Sequence, residues 1–542
     1  MKYLPVSLSI AILITGCQST SFQATQHHDD NLVVGNIASP NDINHALLTD
    51  ESVDVIHPVA DIDFTVSDDV IDVSDDIWQR IRAQLSFNVP ENDRVLAQRN
   101  WYAKHPSYLD RVAKRAEPFL HYIVEELEKN DMPIEMALLP IVESAFDPFA
   151  YSHGRASGMW QFVPGTGKRF GMKQNWWYDG RRDVVASTQG AIKYLKYLNK
   201  FFDGDWLLAL AAYNSGEGRV RRAVRNNARK NKPTDFWSLD LPRETRAYVP
   251  KLLALADLIK RPEDFQIKLY EIDNNPVLTQ VDVQSQLDLA KAAQLADLSL
   301  AELQRLNPGF NRWATDPDGP HYLLIPNNKL EKFTEKLSKL EEKDRLAWQR
   351  YEIKSGDSLS TIANKFNTTT ALIKKINNVK GTQIRAGKHL LIPIAAQSLD
   401  SYIFSQDQRL ASKQSQQQAG KKTVYKVRSG DTLWDIGRAH KVSTRSIAKW
   451  NGMAPRDTIK PGQSLVIWQK TSGVTAERTR PAEQAVMRNI TYKVRRGDSF
   501  ARIADKFNVT IKDIERWNRL SRKKYLQPGQ LLKLSVDVTN SI

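Results

Sequence analysis

The chain has 542 residues, too many for one compact hydrophobic core, so several domains are expected. Its 77 Lys and Arg residues exceed its 62 Asp and Glu residues, which gives a formal net charge of +15. The single cysteine excludes disulfide bonds within the chain. The histidines are scattered without the spacing of metal ligands, so neither a metal nor another cofactor is predicted.

Residues 1–16 are predicted to be a lipoprotein signal peptide. An early lysine is followed by an apolar run over residues 3–14, which is too short to span a bilayer. The run ends in ITGC, which resembles the bacterial lipobox, so we expect lipidation at Cys17. By the rule of that motif, Gln18 and Ser19 after the cysteine, rather than an aspartate at the second position, direct the protein to the outer membrane. The expected location is therefore the periplasm, with a lipid anchor as the membrane attachment.

Charge is distributed unevenly along the chain. Residues 18–77 contain 13 Asp or Glu and no Lys or Arg, so residues 17–77 are predicted to be an acidic, disordered tether. Residues 421–542 contain 26 Lys or Arg against 10 Asp or Glu. A basic tail often indicates nucleic acid, but an exported lipoprotein rarely meets any. An anionic cell wall or membrane surface is the better expected partner.

Residues 78–265 show apolar residues at helical spacing and are predicted to form a mainly α domain. Within it, the stretch NDMPIEMALLPIVES predicts a helix that begins at Asn130 or Asp131, bends at Pro140 and ends near Glu143. A helix C-terminus disfavours a negative charge, and apolar neighbours desolvate it. Both effects raise a carboxyl pKa, as a general acid at neutral pH requires.

Glu135 lies in the first turn of the same predicted helix. The helix dipole favours an ionised carboxylate at that end. We therefore predict a structural role for Glu135. Glu143 could equally be a solvated helix-end residue if it stood alone.

Three later stretches accompany Glu143. GRASGMWQFVPGTGKRFG (154–171) is rich in glycine, so its backbone can approach a ligand closely, and its residues Trp160, Gln161 and Phe162 offer surfaces to a sugar. ALAAYNSGEGRVRRAV (209–224) and ETRAYVPKLLAL (244–255) each carry a tyrosine next to a helical pattern. Taken singly, such aromatic residues more often belong to a core.

In order, the motifs ES, GMWQF-P-GT, AAYNSGEGRV and ETRAYV resemble those of the family 1 lytic transglycosylases, relatives of goose-type lysozyme. The resemblance covers residues 118–262 and implies a lysozyme-like fold. It maps Glu143 to the catalytic acid of the family. It assigns to the saccharide cleft Ser144, Ser152, Met159, Gln161, Tyr213, Asn214 and Tyr248. Trp160 departs from the pattern, because many relatives carry Met there.

The resemblance implies non-hydrolytic cleavage of the β-1,4 bond between N-acetylmuramic acid and N-acetylglucosamine. Glu143 would protonate the leaving oxygen and then, as a carboxylate, take the proton of the muramyl C6 hydroxyl, which attacks C1. Hydrolysis usually needs two carboxylates, and Asp147, Asp179 and Asp183 have no motif role. A lysozyme-like muramidase stays open as an alternative, as does a catalytically inactive peptidoglycan-binding scaffold.

The C-terminal third repeats one pattern three times, over residues 350–394, 424–468 and 491–535. Each copy predicts a strand, a Gly-Asp-Ser/Thr turn that can cap the next helix, a second helix ending at Asn, and a closing strand. These copies resemble LysM domains, which bind glycans containing N-acetylglucosamine, such as peptidoglycan. The family groove implicates in glycan binding Gly356, Asp357, Gly430, Asp431, Gly497 and Asp498. Each of these aspartates could instead only cap its helix.

A weaker copy at 270–330 keeps two helical patterns, Asn307 and a closing strand but lacks the turn, so it is interpreted as a degenerate LysM-like unit. Polar stretches at 395–422 and 469–490 are interpreted as flexible linkers. The predicted architecture is thus multidomain: a mainly α lysozyme-like catalytic domain, followed by small α+β modules of strand–helix–helix–strand order.

Overall fold

The computed structural model describes residues 75–469 and 487–537, apart from 496–497, 501–502, 505–506, 508, 510 and 521–525. The predictions made for the signal peptide, for Cys17 and for nearly all of the tether fall outside these residues. The same holds for Gly497 and for most of the second linker.

The first part of the described chain is helical, as predicted. Ten α-helices precede the first strand: α1 (Ile77–Gln84), α2 (Asp93–Ala103), α3 (Pro106–Ala116), α4 (Leu120–Glu128), α5 (Leu139–Ser144), α6 (Pro164–Arg169), α7 (Val184–Phe201), α8 (Trp206–Ser215), α9 (Glu217–Ala228) and α10 (Arg243–Lys260). Short 3-10 turns occur at Ile134–Leu138, Phe236–Ser238 and Glu263–Phe265. These helices share one hydrophobic core.

Side-chain caps fix where the two central helices of this domain begin. The Asp183 carboxylate accepts from the backbone N–H of Ala186 at the start of α7, and Asp205 accepts from that of Leu208 at the start of α8. Each cap satisfies a donor that the first helical turn leaves free. Helix α10 packs against α2 and α8, and Pro250 lies inside it, with most of its residues buried. These helices form the frame around α5.

The predicted single helix over 130–144 is wrong in its first half. Asp131 adopts a positive φ of 51° and caps no helix. The chain instead forms the 3-10 turn Ile134–Leu138, and α5 begins only at Leu139. Pro140 lies in the first turn of α5, where a missing N–H costs nothing, so it starts a helix rather than bending one. The predicted position of Glu143 near the helix end is confirmed.

The second part repeats the predicted order of strand, helix, helix, strand. The described strands and helices are β1 (Leu278–Asp282), α11 (Leu289–Ala296), α12 (Leu300–Leu306), β2 (Tyr322–Pro326), α13 (Asn327–Ser338), β3 (Ala347–Glu352), α14 (Leu359–Lys365), α15 (Thr370–Ile376), β4 (His389–Ile394), α16 (Gln406–Ser415), β5 (Lys421–Lys426), α17 (Leu433–His440), α18 (Thr444–Trp450), β6 (Ser464–Gln469), β7 (Met487–Lys493), α19 (Ile511–Asn518) and β8 (Leu531–Asp537). Strands pair antiparallel as β1–β2, β3–β4, β5–β6 and β7–β8.

An asparagine at the end of the second helix ties that helix to the closing strand in every copy. In the second LysM module, the Asn451 amide donates to the carbonyls of Ile447 and Val466, at 2.7 and 2.8 Å, and its oxygen accepts from the Val466 N–H at 2.7 Å. Asn307 makes the same three bonds in the degenerate unit. The recurrence of Asn in the sequence therefore has a structural cause.

The degenerate unit packs against the helical domain. Asp179 N–H donates to the Gly309 carbonyl at 2.8 Å, and the Tyr322 hydroxyl donates to the Asp183 carboxylate at 2.7 Å. Trp177 joins the hydrophobic core of this unit and contacts Trp313 edge to face. The unit thereby fixes residues 174–183 of the helical domain.

The first stretch interpreted as a flexible linker is folded, so that interpretation is wrong. It contains α16, and its residue Tyr402 is fully buried, with its hydroxyl donating to the Asp288 carboxylate at 2.9 Å. Phe404 stacks on Phe149 of the helical domain with ring centroids 5.0 Å apart. The linker interpretation followed the polar composition of the segment, whereas Tyr402 and Phe404 attach it to the folded domains.

Among the described residues, none of the helices combines the length and the apolar character that a membrane crossing needs.

Candidate active site

A sharp turn holds Glu143 at the end of α5. Ala145 and Phe146 both adopt φ of 54°, and their N–H groups donate to the carbonyls of Ile141 and Pro140 at 3.2 and 3.1 Å. These bonds close the last helical turn. The Phe146 side chain is fully buried and anchors the turn in the core. Glu143 is half-buried, so its carboxyl group has restricted contact with water.

Tyr248 of α10 holds the Glu143 carboxyl group directly. Its hydroxyl donates to Glu143 Oε1 at 2.6 Å. Burial raises the pKa of Tyr248 well above its usual value, so the phenol stays protonated and remains a donor. No hydrogen bond to Oε2 is found among the described residues, so Oε2 is the oxygen that can carry an acidic proton toward a ligand.

The surroundings of Glu143 raise its pKa, so that the carboxyl group is close to half-ionised at neutral pH. Burial raises its pKa to about 7, and the negative charge of Glu244 acts in the same direction. The Tyr248 hydrogen bond and the positive charge of Lys251 oppose the increase. Since Glu244, Tyr248 and Lys251 follow one another at spacings of four and three, they share one face of α10. One helix face therefore sets the protonation of Glu143.

Tyr213 and Asn214, at the end of α8, connect the helices around this carboxyl group. The Tyr213 hydroxyl donates to the Trp160 carbonyl at 2.8 Å. The Asn214 side-chain oxygen accepts from the Thr245 hydroxyl of α10 at 2.8 Å. Both residues are half-buried, and the charge of Glu143 contributes to the raised pKa of Tyr213, after burial. The ionisation of Glu143 therefore affects the pKa of Tyr213.

Ser144 and Ser152 organise the loop that follows α5. The Ser144 hydroxyl donates to the Met159 carbonyl at 3.0 Å, which fixes the loop against the helix end. Ser152 Oγ accepts from the N–H groups of Gly154 and Ala156, at 3.2 and 3.0 Å, and so closes a turn. Both hydroxyl groups act on the backbone.

Gly158 and Gln161 set the course of the chain beside this turn. A Cβ at Gly158, which has φ of 84°, would lie 1.8 Å from the Arg181 carbonyl oxygen, so only glycine fits. Gln161 has φ of 50°, and its side chain donates to the Gly158 carbonyl at 2.8 Å. Gln161 is half-buried at the same edge.

The prediction that Trp160 and Phe162 offer surfaces to a sugar is wrong. Their side chains are buried, with 0% and 3% exposed, and the Trp160 indole N–H donates to the Thr188 hydroxyl at 3.1 Å. Met159 is also fully buried, and its carbonyl accepts from the Ser144 hydroxyl. The change from Met to Trp at 160 is therefore a change in core packing.

The three aspartates considered as a second carboxylate all have structural partners. Asp179 binds the Arg181 guanidinium at 2.9 and 2.7 Å. Asp183 caps α7, and Asp147 accepts from the Phe149 N–H at 2.9 Å. The carboxylate that acts electrostatically on Glu143 is Glu244. Its spacing of four from Tyr248 in ETRAYV was the available sequence signal.

The comparison with known proteins decides the family. Membrane-bound lytic murein transglycosylase D of Escherichia coli K12 is 35% identical over 477 residues, covering 86% of this chain and 98% of the relative. The chain belongs to the lytic murein transglycosylase D family. A protein of Alteromonas sp. (strain M-1) named for tributyltin chloride resistance is 45% identical over 166 residues, covering 30% of this chain and 80% of that protein.

Family models match the main parts of this lytic murein transglycosylase D relative. The transglycosylase SLT domain matches residues 122–236, and the LysM-like domain described for lytic transglycosylase MltD matches residues 277–342. The LysM domain matches residues 351–393, 425–468 and 492–535. The soluble lytic transglycosylase SLT70 of Escherichia coli is 21% identical, covers 32% of each chain and gives a TM-score of 0.23. The family-model matches and the observed order of helices and strands confirm the predicted fold class.

The Gly-Asp turns of the LysM modules in this family member are built around a tyrosine. The Asp357 carboxylate accepts from the Tyr351 hydroxyl and from the Lys354 N–H, both at 2.8 Å. These bonds lower the pKa of Asp357, with the backbone bond contributing most. Gly356 has φ of 86°, which favours glycine. Ser358, not Asp357, caps α14, so the suggested capping role of the aspartate is wrong.

The other two modules repeat this arrangement. Asp431 accepts from the Tyr425 hydroxyl at 2.8 Å, and Asp498 accepts from the Tyr492 hydroxyl at 2.7 Å. Gly430 has the same φ of 86° as its counterpart, and Thr432 caps α17. The turn is therefore a fixed loop, and its hydrogen bonds lower the pKa of Asp431 as they do that of Asp357. Within the part of the chain that the structure describes, no group of three or more His, Cys, Asp or Glu side chains could hold a metal ion.

Proposed function

We propose that this family member is an active lytic transglycosylase that cleaves the β-1,4 bond between N-acetylmuramic acid and N-acetylglucosamine in peptidoglycan without water. The observation that carries the proposal is Glu143: a half-buried carboxyl group at a helix end, with a pKa of about 7. At neutral pH such a group is present in both forms, which one residue needs to serve first as acid and then as base.

The reaction is assigned to the two oxygens of Glu143. Oε1 accepts from Tyr248, so the proton on Oε2 passes to the glycosidic oxygen as the C1–O bond breaks. The resulting carboxylate then takes the proton from the muramyl C6 hydroxyl, and the C6 oxygen bonds to C1. A 1,6-anhydro ring forms, no water is consumed, and the enzyme is returned to its protonated form.

The residues around Glu143 are proposed to position the glycan strand. Tyr213, Asn214 and Gln161 are half-buried, and hydrogen bonds to Trp160, Thr245 and Gly158 fix their side chains. Ser144, Ser152 and Met159 act through the backbone of the loop over 144–159. Tyr248 orients the carboxyl group.

The LysM modules are proposed to bind the glycan away from the cleavage site. Asp357, Asp431 and Asp498 border the groove implied by the family, with Gly356 and Gly430 shaping the turn. Gly497 is assigned the same role by its position in the motif. Several weak sites on one chain raise the effective concentration of enzyme on a polymeric substrate.

The protein is proposed to be exported and held at the outer membrane from the periplasmic side by lipid on Cys17. The ITGC motif supports this location, and the printed name of the Escherichia coli relative describes a membrane-bound enzyme.

Mass analysis of the products from purified sacculi tests the proposed reaction. Products with 1,6-anhydromuramic ends, lighter by one water than hydrolysed ends and lacking a reducing group, are expected. Reducing muramic ends as the first product would indicate a muramidase, and Glu244 would become the second carboxylate to examine. No release of product by the wild-type protein would indicate an inactive binding scaffold.

A further inference from the structure

A cavity of about 930 Å³ lies next to the loop that follows Glu143. Its walls come from three parts of the chain: the catalytic domain at residues 147–155 and 174–182, one face of α16, and the second LysM module at residues 448–463. The face of α16 is set by Gln406, Arg409, Leu410 and Lys413, which recur at helical spacing. We call this space the cationic chamber.

Positive charge dominates the lining. Six Lys or Arg side chains face three carboxylates, and two of those carboxylates are already paired. Asp179 binds Arg181 at 2.7 Å, and Asp457 pairs with Arg155 at 2.7 Å. The cationic residues without an ion pair among the described residues are Arg409, Lys413 and Lys449. The chamber therefore holds uncompensated positive charge.

Two of the arginines, Arg182 and Arg409, have restricted contact with water, which makes polar groups without a partner costly there. Arg182 is 5% exposed and lies 3.7 Å from the Asp179 carboxylate, which it shares with Arg181, and its Nε has no hydrogen-bond partner among the described residues. The Arg409 guanidinium lies over the Phe149 ring, 5.0 Å from its centroid, and its Nε donates to the Phe404 carbonyl at 3.0 Å. Burial lowers the pKa of Arg409 well below its usual value. A bound anion would satisfy both groups.

Contacts between the catalytic domain and the second LysM module close the third wall. Asp457 of the module accepts from the Tyr151 hydroxyl at 3.1 Å, in addition to its ion pair with Arg155. On the far side, the Gln414 side chain of α16 donates to Asn451 at 2.8 Å. The chamber is therefore bounded on three sides and has the form of a groove. A groove accommodates an extended chain.

We propose that the cationic chamber binds the carboxylates of the acidic peptide that muramic acid carries in peptidoglycan. This inference rests on the proposed function, because it concerns the same substrate. Asp147, four residues after Glu143, lines the chamber, and so does Ser152, so a glycan strand at Glu143 would bring its peptide to this wall. Peptide-bearing strands are then better substrates than bare strands.

The test compares two substrates with the full chain. Soluble glycan strands are prepared with their peptides and, in a second batch, after removal of the peptides with an amidase. For wild-type protein, kcat/KM is expected to be about tenfold higher on peptide-bearing strands, given the strength of charge-assisted hydrogen bonds. In the double variant Lys413→Gln/Lys449→Gln, this preference should be lost while cleavage of bare strands is unchanged. Lys332→Gln, an exposed change on α13, is the matched control and should keep the preference.

A second measurement separates this inference from the proposed function. The Glu143→Gln protein is titrated by calorimetry with the free acidic peptide released by the amidase, and then again after the further change Arg409→Gln. Binding that disappears with Arg409→Gln supports the chamber even if the wild-type protein cleaves neither strand. Equal rates on both substrates, faster cleavage of bare strands, or a preference that the double variant keeps would overturn the assignment, and so would a titration without heat.

Discussion

Glu143 and Glu135 lie eight residues apart, and their surroundings in the structure differ. Glu135 is fully buried, and its Oε1 accepts from the N–H groups of Ser86 and Phe87, both at 2.6 Å. It therefore joins the chain after α1 to the turn before α5. Its predicted structural role agrees with these contacts, although they come from backbone donors and not from the helix dipole.

Glu143→Gln is expected to fold, to bind glycan and to release almost no product. Gln keeps the shape and still accepts from Tyr248, but it can neither donate nor take the catalytic proton. General acid–base catalysis is typically worth about 10²–10⁴-fold, and both steps here use one residue, so we expect the upper end. The rate at which anhydro ends are released from sacculi measures this loss of activity. A fully active variant would exclude the assignment.

Glu135→Gln is the matched control and should show the reverse pattern. The buried Oε2 has no partner among the described residues, so a Gln amide placed there would leave buried donors unsatisfied. A loss of about 1–3 kcal/mol in the free energy of unfolding is expected. Activity per folded molecule should stay close to wild type, as denaturant unfolding and product release together would reveal.

The stabilities of wild type and of Glu143→Gln should depend differently on pH. Because the folded pKa of Glu143 is about 7 and its ordinary value is 4.5, the folded state holds the proton more tightly. Stability from this group is full below the ordinary pKa and is lost as pH rises toward 7 and above. Gln at this position cannot titrate. The melting temperature of Glu143→Gln, measured relative to wild type, should therefore rise as the pH is raised from about 5 to about 8. A constant difference would contradict the raised pKa.

Glu244→Gln tests the electrostatic neighbour. Removing its negative charge lowers the pKa of Glu143, so less of the enzyme carries the catalytic proton at neutral pH. The pH–rate profile should shift to lower pH, while the products keep their anhydro ends. A hydrolase that used Glu244 as its base would instead lose activity across the whole pH range.

At the scale of single elements, the repeated asparagine can be tested in the second LysM module. Asn451 is 3% exposed, and Asn451→Leu keeps its volume but leaves the Val466 N–H and carbonyl unsatisfied. A local loss of about 2–3 kcal/mol is expected. Hydrogen exchange of residues 464–469 in the full chain should quicken by the corresponding factor. Unchanged exchange there would show that β6 does not depend on the asparagine.

The elements differ in how far the sequence could predict them. Strand–helix–helix–strand order followed from local signals, because each module buries its own alternating and helical patterns. The fold of residues 395–422 could not be predicted in this way. Tyr402 and Phe404 find their partners, Asp288 and Phe149, more than 100 residues away in the chain. The site showed the same division: the motif order indicated Glu143, whereas the core position of Trp160 depends on its contact with Thr188.

At the scale of the whole molecule, the folded first linker decides where the chain can be shortened. Leu346, Leu372 and Tyr402 share a core with the degenerate unit, so a protein ending near residue 340 would expose it. A protein ending at Gly420 keeps that core and loses two LysM modules. It should cleave bare soluble strands like wild type but sediment poorly with sacculi. Equal sedimentation of the shortened protein and wild type would refute this division of roles.

Raised salt should weaken the binding of wild type to sacculi in part, because the charge of the basic C-terminal region is screened.

Cys17→Ala tests attachment to the membrane. Without the thiol there is no site for lipid, so we expect an unprocessed or soluble protein in cell fractions. The same protein found processed at the same position in the membrane fraction would contradict the lipobox interpretation.

Helix α16 also places a limit on how this protein can vary. Polar stretches between domains usually accept insertions and deletions, because nothing depends on their length. Here one residue removed between Tyr402 and Gln406 would turn the helix by about 100°, since an α-helix has about 3.6 residues per turn. Arg409 and Lys413 would then point away from the chamber while Tyr402 stayed in place. Helical phase, rather than composition, is what this segment must preserve.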